Sequence, residues 1–84
     1  MTLLADNARR ILHRALQAQV GIRVHVAPTG EMMAPTWRAK QTLYRFKQED
    51  VDFKNLQIEF DGRDPDNYLV IVKRTPGDTD AQDK

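Results

Sequence analysis

Tyr68-Leu69-Val70-Ile71-Val72 is the stretch that decides the fold. Successive side chains of a strand point to opposite faces, so five apolar residues in a row need cover or neighbours on both. Two other segments alternate instead. Ile22, Val24 and Val26 are interleaved with Arg23 and His25, and Leu56, Ile58 and Phe60 with Gln57 and Glu59. That period of two describes strands with one wet face. The pattern predicts a three-stranded mixed sheet with the third strand central and antiparallel to both others.

Two helices are expected beside it. Leu4, Ala8, Ile11, Ala15 and Ala18 recur at steps of three and four, with Leu12 and Leu16 widening the stripe. This predicts a helix from about Leu3 to Gln19, capped by Thr2 and ended by Gly21 as its C′ glycine. The proline-bracketed segment from Pro28 to Pro35 reads as a loop. A second helix follows from Pro35 or Thr36 to Gln48, with Ala39, Leu43 and Phe46 as its apolar stripe and Trp37 flanking it. Glu49-Asp50-Val51-Asp52 closes that helix, and Asp61 to Asn67 reads as a hairpin turn. The order α-β-α-β-β predicts a two-layer α+β domain over residues 1–74, with both helices on one face and a right-handed β-α-β crossover. Residues 75–84 hold no large apolar side chain and are expected to form a disordered acidic tail.

Composition narrows the function classes. The chain has 84 residues, 40% hydrophobic and 30% charged, and no apolar run approaches the roughly 20 residues of a membrane-spanning helix. Met1 to Asp6 lacks the basic region and apolar core of a secretory signal, and there is no cysteine, so a cytoplasmic location is expected. Serine is absent too, which removes the two commonest nucleophiles. His13 and His25 have no cysteine to complete a zinc set, and the aspartates between Asp61 and Asp66 do not match an EF-hand spacing. The isolated glycines form no phosphate-binding loop. The expectation is a non-enzymatic protein without cofactor or metal.

Charge is divided along the chain. Residues 1–47 carry a net +6 and residues 48–84 a net −5, within a total of +1. A basic half attracts phosphates and acidic partners. Trp37, Lys40, Tyr44 and Lys47 share one stripe of the second helix, with Arg38, Gln41 and Arg45 on the next. Arg10 and Arg14 on the first helix and Arg23 on the first strand would extend the patch if the surfaces are contiguous. Met32 and Met33 add adaptable apolar surface if they point outward, or close the end of the core if they fold back.

The helix reading Ala39-Lys40-Gln41-Thr42-Leu43-Tyr44-Arg45-Phe46, the following Asn55-Leu56-Gln57-Ile58 and the closing Pro65 to Lys73 resemble small proteins of unknown function encoded in tailed phages and prophages. The resemblance covers roughly residues 20–74. It implies a short gene in a phage-like neighbourhood whose product binds host factors or nucleic acid, and it supplies no site residues.

Three roles remain open at this point. Contact with a protein partner in a host or nucleic-acid-processing complex, through the basic helices and the Met32-Met33 loop, is the leading expectation. Direct binding of the DNA or RNA backbone by the same face is the second. An edge-strand homodimer is the third, because a three-stranded sheet leaves two edges unpaired.

Overall fold

A computed structural model describes residues 3–75. The cap expected at Thr2 lies outside the described residues, and so does the expected tail apart from Thr75. Helix α1 spans Leu3–Gln17, strand β1 Arg23–Val26, a single-turn helix α2 Pro28–Glu31, helix α3 Thr36–Glu49, strand β2 Leu56–Phe60 and strand β3 Leu69–Lys73. A 3₁₀ turn, Val51–Phe53, joins α3 to β2.

The sheet order is β1-β3-β2. Both ladders are antiparallel, with Val24 opposite Ile71 in one and Ile58 opposite Ile71 in the other. The outer strands run parallel to each other without pairing, so the sheet is wholly antiparallel and not mixed as expected. The apolar run does sit in the centre: Leu69, Val70 and Ile71 are all buried. Val70 is covered on the face away from the helices. There His25 of β1 approaches Asp61, just past β2, with Nε2 3.5 Å from Oδ2. A contact between the two outer strands has to pass over β3.

The other face carries the core. Ala8, Ile11, Leu12 and Ala15 of α1 meet Ala39, Leu43 and Phe46 of α3, and both helices rest on Val26, Leu56, Ile58, Leu69 and Ile71. Arg9 lies over the Phe46 ring, and His13 packs edge-on against Phe53, so the two helices run in the same direction. Lys73 donates through Nζ to Leu16 O at the end of α1.

Three local expectations are corrected. First, α1 ends at Gln17 rather than Gln19, and Gly21 is not its C′ residue. Gly21 has φ +86, its N–H bonds Lys73 O, and Ile22 N–H bonds Gln19 O. That is a tight turn needing positive φ at its third residue, merged with a glycine bulge at the start of β1. Second, the segment from Pro28 to Pro35 is not all loop. Pro28 at the first position starts α2, and Glu31 closes the turn by accepting the Ala27 N–H at 2.9 Å. Third, α3 runs one residue further, to Glu49. Asp50 then caps the 3₁₀ turn through the Asp52 N–H, and this turn buries Phe53.

The hairpin expected between Asp61 and Asn67 is present. The Asp61 carboxylate accepts the N–H groups of Arg63 and Asp64, and Asp64 accepts the side-chain amide of Asn67. The Arg63 N–H holds the Asp61 carboxyl below its usual range, against the opposing effect of burial, with further help from Asp64, His25 and Arg23.

The alternation of an antiparallel ladder also fixes where the sheet is open. Arg74 N–H bonds Asn55 O and Asp61 N–H bonds Tyr68 O, so Gln57–Val72 and Glu59–Val70 are the bonded pairs between them. Leu56, Ile58 and Phe60 therefore turn their backbone groups to the outer edge of β2. By the same alternation Leu69 and Ile71 face β1, and Arg23 and His25 turn theirs to the outer edge of β1.

Ile71→Ala removes a fully buried side chain from the centre of the sheet and is expected to cost about 2–5 kcal/mol. Val20→Ala, at a site 49% exposed, should stay within about 0.5 kcal/mol. Urea denaturation midpoints of the two variants check both values.

Candidate binding groove between α3 and β2

Helix α3 presents Trp37, Lys40, Tyr44 and Lys47 at helical spacing, and the β2 edge lies beside this stripe. Tyr44 marks the junction, because its hydroxyl donates to Ile58 O at 3.1 Å. That carbonyl is one of the groups β2 turns outward, so the helix closes part of this edge. Phe60 ends the apolar face of β2 and stays 43% exposed next to Trp37, itself 59% exposed. Lys40 is held between two rings, with Nζ 4.9 Å from the Tyr44 centroid and 4.7 Å from that of Phe60. Lys47 Nζ lies 5.4 Å from the centroid of the same Tyr44 ring. Cation–π contacts of this kind fix both the lysine and the ring while leaving the charge in water.

These side chains line a shallow groove of about 410 Å³, joined by Gln41, Arg45 and Gln48. A second depression of about 490 Å³ shares Trp37 and Phe60 with it and continues to Thr29, Pro35, Pro65 and Asp66. Thr36 fastens that end by donating its hydroxyl to Asp66 O at 2.6 Å. The groove is thus apolar in the middle, basic toward the C-terminal half of α3 and walled at its N-terminal end by the hairpin turn.

The expected site residues divide. Trp37, Lys40, Gln41, Tyr44 and Arg45 line the groove, and Lys47 adjoins it. Arg38, Gln41 and Arg45 also border a cleft against Leu4 and Ala5 of α1. Arg10 and Arg14 belong elsewhere. Arg10 bonds Asn7, and Arg14 turns toward α2, where its guanidinium pairs with Glu31 at 2.8 Å. Arg23 lies on the sheet face away from the helices. A single basic surface across both helices and β1 is therefore not formed. Met32 is 1% exposed and belongs to the core, whereas Met33 is 75% exposed with φ +55. Adjacent residues in an irregular segment point opposite ways, so the pair cannot serve as one contact.

Phe60, like Gln48, is a groove residue that sequence reasoning did not single out. The available signal was its place as the last apolar residue of an alternating strand, directly before Asp61-Gly62, where cover from the helices runs out.

No family model, no curated protein and no solved structure matches the chain.

Glu31 joins the Arg14 side to the end of β1. Partial burial pushes its carboxyl up. The hydrogen bonds from Arg14 and the Ala27 N–H, with the Arg14 charge, outweigh that and bring it below the ordinary 4.5. A group with a depressed folded-state value contributes stability that is complete above the ordinary value and is lost as pH falls through the depressed one. Glu31→Gln should therefore lower Tm at neutral pH, and its deficit against the parent should shrink once pH falls below 4.5. Thermal melts across that range measure it.

Proposed function

We propose that the chain is a non-enzymatic binding module whose α3–β2 groove takes an acidic segment of a partner protein with an apolar anchor. The observation that carries this reading is the pairing of exposed rings with cations that have no acid of their own. Trp37 and Phe60 stand open to solvent, while Lys40, Arg45 and Lys47 beside them form no ion pair among the described residues. An aromatic anchor over Trp37 and Phe60 would bury apolar area at the centre of the contact, and carboxylates toward Arg45 and Lys47 would set its direction. A partner within a host or nucleic-acid-processing complex is the class that the sequence resemblance to small phage proteins would imply. Direct contact with a nucleic-acid backbone is the competing role for the same cations.

Selection from a random peptide library against the whole chain is expected to enrich sequences that join an aromatic or leucine residue to Asp or Glu. Calorimetry on a selected peptide should show Trp37→Ala weakening affinity more than about tenfold. Binding of single-stranded oligonucleotides in its place, weakening steeply between low and physiological salt, would transfer the groove to nucleic acid.

A further inference from the structure

The two edges of the sheet are not alike. On β2, Tyr44 of α3 already occupies the outward carbonyl of Ile58. On β1, Glu31 closes only the far end, by taking the Ala27 N–H. Between that point and the Gly21 turn, the N–H and C=O groups of Arg23 and His25 face outward, with no hydrogen bond to another element among the described residues. Free strand edges are templates for a further strand.

Side chains on this edge state what such a strand should be. Arg23 and His25 project from its open face and line a cleft of about 320 Å³ with Arg63, Gly62 and Asp61. Asp61 is the one carboxylate there. It already accepts the Arg63 and Asp64 N–H groups and lies 3.5 Å from His25. Two guanidiniums and an imidazole thus share one acid. On the opposite face of the strand, Ile22 is 51% exposed and Val24 half-buried. A second copy of the chain fits poorly. Antiparallel pairing through both open residues would set Arg23 against His25, which brings no carboxylate to the guanidiniums of this edge. An incoming strand with carboxylates opposite Arg23 and His25 and an apolar residue between them satisfies both faces.

We propose that the outer edge of β1 is a second binding site, which accepts an extended acidic segment of a partner protein as a fourth strand. It is independent of the α3–β2 groove, since it stands on backbone groups and side chains that the groove does not use.

The test uses the whole chain, labelled for NMR, with a peptide alternating Glu and Val and a control alternating Lys and Val. The acidic peptide should slow amide exchange at Arg23 and His25 and shift their resonances, and the basic control should do neither. Arg23→Glu should weaken the acidic peptide more than tenfold, while Trp37→Ala leaves the peptide-induced protection at Arg23 and His25 unchanged. His25→Pro deletes an outward N–H that β3 does not need, a position where an edge strand tolerates proline, and should weaken it similarly. If that variant does not fold, Arg23→Glu and the exchange data decide alone. Equal binding of both peptides, or shifts confined to Trp37 and Tyr44, would overturn the β1 site and leave the groove reading intact. Protection of Arg23 and His25 without peptide would also overturn it. It would give the edge to a second copy if it grows with protein concentration, or to the chain's own acidic terminus if removing residues 76–84 abolishes it.

Discussion

Every layer of this domain hangs on β3 being bonded along both of its edges. Ile71 stands between Val24 and Ile58, and the backbone groups of β3 alternate between the two neighbours. The strand also reaches the helical layer and the turns. Lys73 holds the end of α1 through Leu16 O and the β1 turn through Gly21, while Tyr68 receives Asp61 at the hairpin. A strand in that position tolerates no polar residue on its inner face. Its outer face also needs cover, which His25 and Asp61 supply by meeting above it.

The groove follows from how α3 is anchored. Its N-terminus is tied to the hairpin by Thr36, its middle to the β2 edge by Tyr44, and its buried face to α1 by Leu43 and Phe46. Those three attachments leave the stripe of Trp37, Lys40 and Lys47 facing outward along β2. Phe60 is left half-covered because the strand extends past the shelter of the helix. The exposed aromatic surface is thus a geometric consequence of the packing. It is also a part of the surface where apolar area and unpaired positive charge coincide, and that coincidence is what a partner would read.

The strands were legible because period-two patterning with one unbroken run leaves a single sensible order, and the core helices because their stripes are regular. What escaped was local and irregular. One turn of helix at Pro28–Glu31 depends on a carboxylate reaching back to Ala27, which no periodicity announces. The opposite fates of Met32 and Met33 follow from a left-handed backbone at Met33. The exposure of Trp37 and Tyr44 was undecidable from the stripe alone, since a residue flanking an apolar face is buried or not according to what stands beside it. The condition that the basic surfaces be contiguous is not met, for a similar reason. Arg14 has an acid partner in Glu31, seventeen residues away, and Arg23 projects from the other side of the sheet.

The central strand is also the last element of the described chain. Neither β1 nor β2 pairs with the other, so neither has a partner until Leu69 to Lys73 is available. On a ribosome the first two strands must wait with their edges bare, and no partial sheet can form from the N-terminal portion alone. Assembly of the sheet is then governed by contacts between distant parts of the chain. A nascent chain halted before β3 is the state most open to degradation or chaperone capture.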